Sequence, residues 1–431
     1  MHQNRAAAGR NIEVMERKEK PTIVIVGGGF GGLWTANALK RVDARVIVID
    51  RENHHVFQPL LYQVATASLS PADVAQPIRG ILKGKNVEVL LGEVIGIDSE
   101  SREVILKDRR IPFDYLVLAT GARHSYFGKD EWESYAPGLK TLDDATRMRS
   151  EILLAFERAE AAQTEEEKCR WLTFVIIGGG ATGVELAGAI AEIARRTLRC
   201  DFDHIDSRRA SIQLIEAGPR ILPAFPEKLS VETQKSLEKL GATVRTNTKV
   251  EEVGDGFVRA NSEVIETNTV LWAAGVKATP VANWLGVEAD RAGRVLVSPD
   301  CSIPGHPNIF AIGDAMSLKG KNGIPLPGVA QVAMQQGAFV AGVIAARIKG
   351  SAAPTTFTYF DKGILATIGK RLAVAKIGPI EVGGFIAWFL WAVIHIWYLI
   401  GFRNKLVVMI QWIWSYLFSQ RGARLITGRK D

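Results

Sequence analysis

Two glycine strings, Gly27-Gly28-Gly29-Phe30-Gly31-Gly32 and Gly178-Gly179-Gly180-Ala181-Thr182-Gly183, have the spacing GxGxxG. The first glycine of such a string permits a tight turn and the second lets backbone approach a pyrophosphate. The third lets a helix pack close on a strand, with the phosphates at that helix's N-terminus. A lone match is a weak signal, but here each string follows an apolar strand and precedes a helix, and an acid ends the next strand. Asp50 stands 18 residues beyond Gly32, the usual distance for a carboxylate that takes a ribose hydroxyl. Glu216 stands 33 beyond Gly183, an excess assigned to a loop over 200–209. Carboxylates at these points repel a 2′-phosphate and favour NADH over NADPH, while Arg220, four residues past Glu216, leaves dual use open. Residues 308–312 form a short apolar strand ending in Gly313-Asp314, which suits a ribityl-phosphate chain. Gln331 and Gln335, at i and i+4, put two amides on one helical face, where Ala330, Ala333 and Gly337 permit close approach of a flat ring. A polar face in water is the alternative for them.

The elements that must position these residues repeat. Strand, glycine turn, helix, strand and acid occur at 23–50 and again at 174–216. Buried strands that stop at a glycine occur at 114–121 and 269–275. A duplicated architecture follows, each copy with its own nucleotide. Between the copies, 87–91 and 103–106 read as a hairpin-rich insertion, and 141–167 reads as one charged connecting helix with Thr141 and Asp144 as its capping box. After the second glycine string, 184–196 reads as a helix. The expected fold is α/β, with two Rossmann-like dinucleotide-binding domains and a C-terminal amphipathic helical segment. The expected division is a flexible 1–20, a first dinucleotide-binding domain over 21–145 and 290–370, a second over 146–289, and a membrane-association region over 371–431.

Composition excludes several classes. At 431 residues, 47% hydrophobic and 23% charged, the chain has the balance of a globular protein with cores to fill. Cys169, Cys200 and Cys301 form no CxxC pair, so neither a disulfide framework nor a cysteine zinc site is expected, no metal is assigned, and a reducing compartment is the default. Of a net charge of +7, most lies in residues 371–431, with eight Lys/Arg against two acids around an apolar, Trp-rich stretch. That combination reads as attraction to an anionic membrane surface and excludes a nucleic-acid footprint. The first 20 residues carry no apolar run of the signal-peptide kind.

With both glycine strings and the Gly313-Asp314 segment in place, residues 21–345 resemble the two-dinucleotide-domain flavoproteins typified by glutathione reductase. The disulfide reductases of that family carry a Cys pair just after the first unit, where this chain has His54-His55-Val56-Phe57-Gln58-Pro59-Leu60-Leu61-Tyr62-Gln63. The Phe-Gln-Pro-Leu-Leu-Tyr run and Ala330-Gln331-Val332-Ala333-Met334-Gln335-Gln336-Gly337 are similar to segments of the type II NADH dehydrogenases, single-subunit NADH:quinone oxidoreductases that do not pump protons. The resemblance implies FAD in the first domain and NAD(H) in the second, with Gly27, Gly29, Gly31, Gly32, Asp50, Arg51, Val94, Thr120, Gly121, Asp314, Ala330 and Gln331 in contact with FAD. It implies that Gly178, Gly180, Thr182, Gly183, Glu216, Ala274 and Gly275 contact NADH. It further implies that Glu185, Gln331 and Gln335 form the quinone end, with Glu185 placed to deliver a proton to the reduced quinone. The plainer reading of Glu185 is a helix N-terminal acid that complements the dipole. His54 and His55 read as structural or solvated. A lysine expected near the quinone has no clear match among Lys370, Lys376 and Lys405.

The same resemblance implies a ubiquinone or menaquinone acceptor and a monotopic place on the cytoplasmic face of the inner (plasma) membrane, and leaves a homodimer open. The alternatives are a sulfide:quinone enzyme, a reductase of a soluble carrier, and a non-catalytic FAD- and NAD-binding protein docked on a membrane. In the tail, 383–400 carries no formal charge and would nearly span a bilayer core. Trp388, Trp391, His395, Tyr398 and Phe402 nevertheless share one helical face, and most have polar tips that favour the headgroup boundary. Arg403-Asn404-Lys405 is expected to interrupt before an apolar 406–418 in which Gln411 and Ser415 are i and i+4. Two helices lying on the membrane are expected, against a spanning hairpin or a dimer interface.

Overall fold

Strand Thr22–Val26 is buried along four of its five residues, as befits a central parallel strand covered on both faces. In the computed structural model, which describes residues 20–84, 86–418 and 422–427, it pairs in parallel with Arg45–Asp50 and with Tyr115–Leu118. Val87–Leu91 extends the sheet on one side, and His306–Ala311 on the other, where it lies parallel to Tyr115–Leu118. Ser302–Ile303 adds an antiparallel edge. Chain from beyond residue 300 therefore re-enters the first sheet and brings Gly313-Asp314 to the same carboxyl edge as the first glycine turn.

Ala242–Arg245, Ser211–Ile215, Thr173–Ile177 and Thr269–Trp272 form a second, all-parallel sheet in that order. Each half also carries a three-stranded antiparallel sheet, at 94–112 and at 250–266. Ala122–His124 pairs antiparallel with Val276–Ala278, so the two crossings between the halves are tied to each other. The glycine helix Phe30–Leu39 packs along Ala330–Ile348. A Cβ at Gly337 would lie 2.5 Å from the Gly31 carbonyl oxygen and 2.9 Å from Thr35 Oγ1, so only glycine allows that spacing.

The remaining chain forms one unit. Strands Ile364–Gly369, Leu372–Ile377 and Ile380–Gly383 make an antiparallel sheet that packs on helix Ala181–Glu192, followed by helices Gly384–Tyr398 and Phe402–Phe418. The expected boundary at 370/371 therefore falls inside a β-hairpin, at Arg371 with φ +74°, and the unit starts near residue 362.

Three local expectations change as well. The connector is two helices, Leu142–Ala161 and Glu165–Trp171, because Thr164 Oγ1 accepts the Glu167 N–H and caps a new start; Thr141 and Asp144 do form their capping box. The helix expected over 184–196 keeps α geometry to Glu192 and ends in a π-turn over Ile193–Thr197. Arg403-Asn404-Lys405 does not interrupt. The chain turns at Gly401, φ +88°, and those residues form the first turn of the last helix. Residues 1–19 of the expected flexible N-terminus, and Arg421, Arg429, Lys430 and Asp431 of the basic tail, lie outside the described residues.

Candidate active site

The two glycine turns are superposable in their chemistry. Gly27 and Gly178 have φ of +106° and +111°, and a Cβ on Gly27 would sit 2.3 Å from the Ala119 carbonyl oxygen. A Cβ on Gly32 would lie 1.8 Å from the Gly27 oxygen, and one on Gly183 1.9 Å from that of Gly178, so each helix is seated directly on its turn. At Gly29 and Gly180 an added Cβ would meet nothing within 4 Å. These are also the N-cap positions of the two helices, with no side-chain cap and no acid in either first turn. Uncapped N–H groups beside open space suit an anion, and phosphates fit both turns.

Asp50 accepts the N–H groups of Gly28 and Glu52, and Glu216 accepts those of Gly179 and Gly218, both at 2.6 Å. The acids thus stiffen their turns while standing at the end of the second strand. Arg220 donates to the carbonyls of Phe225 (2.7 Å) and Pro223 (3.0 Å), which binds its guanidinium into its own loop. Thr120 Oγ1 meets Thr279 Oγ1 at 2.5 Å, and Gly121 has φ +70°. Ala274 and Gly275 follow Thr269–Trp272, the outer strand of the second sheet, as Thr120 and Gly121 follow Tyr115–Leu118 in the first. Thr182 is half-buried in the first turn of the second glycine helix. Asp314 lies 3.5 Å from Lys140 Nζ, Val94 is buried and Arg51 is exposed.

The glutamines are arranged differently from the expectation. Gln331 donates to the Gly363 carbonyl (2.8 Å) and accepts the Lys362 N–H (3.1 Å). Gln335 donates to the Phe360 carbonyl (2.9 Å) and accepts its N–H (3.0 Å). Both amides clamp the segment leading into the C-terminal unit. The next residue, Gln336, is fully buried; its Oε1 accepts the Gly313 N–H at 2.8 Å, and its amide contacts Met316 sulfur. It holds the Gly-Asp turn itself. An amide set among the alanines and valines of one helix is the sequence signal that marks such a buried anchor.

Glu185 lies at the fifth position of helix Ala181–Glu192, beyond the first turn where a dipole is felt. Its carboxylate receives the Thr367 N–H at 3.4 Å and the Thr367 hydroxyl at 3.5 Å. Loss of hydration outweighs these bonds and pushes its pKa up to about 8. Tyr62, Gln63, Glu192, Lys370 and the indoles of Trp388, Trp391 and Trp412 line the same crevice. Among the three lysines left open by the sequence, Lys370 is the one in this wall; its ammonium donates to the Ser415 carbonyl. Lys405 caps the Trp397 carbonyl at 2.8 Å, and Lys376 is exposed on its strand. His55, 2% exposed, bonds the Gly28 carbonyl at 3.1 Å, and burial lowers its pKa to about 4, which fits a structural ring. His54 bonds Asn53 at 3.0 Å.

Four of the five residues of the expected aromatic stripe turn inward; Phe402 does not, because the turn at Gly401 ends the first helix and leaves Phe402 exposed at the start of the second. Trp391 is 2% exposed and stacks on His395 at 4.4 Å, His395 bonds the Trp391 carbonyl, and Tyr398 receives Lys362 Nζ at 2.9 Å. The outward face is instead mostly apolar: Phe385, Ile386, Phe389, Val393, Trp397 and Phe402 on one side, Met409, Ile410, Ile413, Trp414 and Leu417 on the other. The polar tips of Trp391, His395 and Tyr398 face the protein, and the indoles of Trp397 and Trp414 are those left toward the surroundings. Gln411 donates to Asp73 (3.1 Å) and Trp412 to Gln63 (2.8 Å), which seats the last helix on the 61–76 segment. Among the described residues no helix is long and apolar enough to cross a membrane. The three cysteines are free, Cys301 buried and the other two exposed.

A family model described as pyridine nucleotide-disulphide oxidoreductase matches residues 21–337, and one described as NDH2 C-terminal domain matches 362–421. The chain is 44% identical over 428 residues to the type II NADH:quinone oxidoreductase Ndh of Mycobacterium tuberculosis, covering 95% of this chain and 90% of that one. It is 43% identical to the type II NADH:quinone oxidoreductase NdhA of the same organism, over 94% and 89% of the two chains. A structure of NDH2 from Plasmodium falciparum in complex with NADH shares the fold, with a TM-score of 0.87 at 22% identity over 95% of this chain and all of that one.

Proposed function

Since the chain belongs to the type II NADH:quinone oxidoreductase family, we propose that it is a single-subunit flavoenzyme that oxidises NADH and reduces a membrane quinone without pumping protons. FAD, when bound, takes hydride from NADH and passes two electrons on to quinone. The first glycine turn, with Gly27, Gly29, Gly31 and Gly32, would hold its pyrophosphate. Asp50 and Arg51 would face the ribose, Thr120, Gly121 and Val94 the adenosine side, and Asp314, Ala330 and Gln331 the ribityl chain and ring. Gly178, Gly180, Thr182 and Gly183 would hold the NADH pyrophosphate, Glu216 the ribose, and Ala274 and Gly275 the nicotinamide side. Glu216, with Arg220 tied back into its loop, selects against a 2′-phosphate.

The quinone enters the crevice beneath the indoles of the C-terminal helices. Gln331 and Gln335 hold the 360–363 segment that leads into the strand carrying Thr367 and would offer their remaining N–H groups to a ring carbonyl, and Glu185 delivers a proton to the reduced quinone oxygen. A carboxyl with its pKa near 8 is still protonated at neutral pH, which is the state a donor needs. The apolar outward face of the two helices lies in the interface of a membrane on the cytoplasmic side, with Lys362, Lys405 and Arg403 near anionic headgroups. The observation that carries this reading is the position of Glu185, desolvated in a crevice walled by those helices. Oxidation of sulfide in place of NADH would need paired cysteines, and the three thiols are separate.

Glu185→Gln tests it. Anaerobic flavin reduction by NADH should keep its rate while reoxidation by a short-chain quinone slows about 100-fold or more, the usual range for a lost proton donor. Equal slowing of both half-reactions would contradict the assignment. Sealed vesicles bearing the enzyme should oxidise NADH with quinone and build no proton gradient.

A further inference from the structure

A chain of side chains runs from the last helix to Glu185. Trp412 Nε1 donates to Gln63 Oε1 at 2.8 Å, Gln63 Nε2 to the Tyr62 hydroxyl at 3.0 Å, and Tyr62 and Thr367 hydroxyls meet at 2.9 Å before Thr367 reaches Glu185. Its polarity follows from the donor inventory. An indole can only donate, so the Gln63 oxygen must face Trp412 and its NH2 must face Tyr62. The Tyr62 oxygen is then an acceptor from Gln63, and its single proton is directed to Thr367 Oγ1. Thr367 in turn points its own proton at the Glu185 carboxylate.

We propose that Trp412, Gln63, Tyr62 and Thr367 are a one-way hydrogen-bond relay through which the docked C-terminal helix sets the proton affinity of Glu185. The inference rests on the reading of Glu185 as the proton donor to quinone. Every link aligns a donor toward the ionised carboxylate, so the relay stabilises the state Glu185 reaches after it has given up its proton. It opposes the desolvation that raises this group. The other titratable groups facing the crevice are Glu192 on the same helix, Lys370 on the hairpin and Tyr416 on the last helix. None of them is a link in the relay. Trp412 is also half-buried against Trp391, with ring centroids 5.0 Å apart, so the indole that starts the relay is held by the packing of the two apolar helices on each other. Tyr62, Gln63, Thr367 and Trp412 are positioning residues, acting through Glu185.

The test is the alkaline limb of quinone reduction against pH, measured on the FAD-loaded full chain in vesicles. Activity requires protonated Glu185, so it falls as pH rises through that group's pKa, and loss of a donor to the carboxylate moves the limb upward. Thr367→Val should move it up by about one unit, a charge-assisted hydrogen bond converted through the pKa scale. Tyr62→Phe and Trp412→Phe should move it the same way by successively smaller steps, and Thr367→Ser should restore the original limb. Gln63→Leu breaks the same relay while leaving the Trp412 ring packed on Trp391, should Trp412→Phe fail to fold. The carboxyl stretch of Glu185, isolated as the infrared difference between the chain and Glu185→Gln and titrated without turnover, should follow the same order. A shift in Thr367→Val with none in Tyr62→Phe, Trp412→Phe or Gln63→Leu would overturn the relay and leave Thr367 acting alone. A limb and a band unaltered by Glu185→Gln would instead overturn the donor reading, and the relay with it.

Discussion

Replacing Gln336 by Met keeps the length of the side chain and removes its polarity. The Gly313 N–H, which bonds Gln336 Oε1 at 2.8 Å, then remains buried without a partner. Leaving a buried donor unsatisfied costs about 1–3 kcal/mol, while the lost contact to Met316 sulfur is weak. Gly313 has φ +67° and begins the turn that presents Asp314, so relaxation of the turn would move that carboxylate as well. The expected result is a loss of about 2 kcal/mol in denaturant stability of the FAD-binding half, and flavin retention weakened about tenfold or more, since about 1.4 kcal/mol is one decade. Gln335→Met removes two bonds at a half-exposed clamp and should cost under about 1 kcal/mol. Flavin fluorescence against urea, with free and bound flavin separated by filtration, reads both quantities. Equal stability and flavin content in Gln336→Met and the parent chain would refute the argument that this amide holds the Gly-Asp turn.

Glu216→Ala should raise the NADPH to NADH ratio of kcat/KM at least about tenfold, because the charge opposed to a 2′-phosphate is gone; an unchanged ratio would place discrimination elsewhere. Trp397→Glu with Ile413→Glu puts two charges on the outward apolar face, and co-sedimentation with anionic vesicles should fall by more than about tenfold while NADH oxidation by a soluble quinone analogue persists. His55 and His395 both have pKa values lowered to about 4 by burial, so their neutral rings are fully tolerated above the unfolded value near 6.5. Stability should therefore drop as pH falls from about 6.5 toward 4, by as much as about 3 kcal/mol for each ring, and His55→Gln should flatten part of that slope in thermal melts.

The parts of the site written into short stretches of chain were legible without a structure. Gly32 and Gly183 are dictated by contacts within their own turns and Gly27 and Gly178 by the positive φ that the turn demands, and the acids 50 and 216 follow at the end of the next strand, so local spacing sufficed for these turns. The parts decided by which surface an element meets were not. Trp388, Trp391, His395 and Tyr398 do share a helical face, but sequence could not say that this face packs inward while Phe389, Val393 and Trp397 look out. Lys370 could not be told from Lys376 or Lys405, because a hairpin turn and a helix 45 residues later jointly place it against Ser415. Tyr62 and Thr367 meet across 305 residues, and nothing local marks either as a neighbour of Glu185. The connector broke at Thr164 because its side chain caps the next helix, a competition that charge content does not reveal.

The central claim is the electron path from NADH to quinone, and one anaerobic experiment addresses it. NADH is added to the FAD-loaded chain, the flavin absorbance is followed, and a short-chain quinone is then supplied. Prompt loss of colour with NADH, slow loss with NADPH, and prompt return of colour with quinone are the expected results. Absorbance unmoved by NADH, or lost and not restored by quinone, would contradict that path.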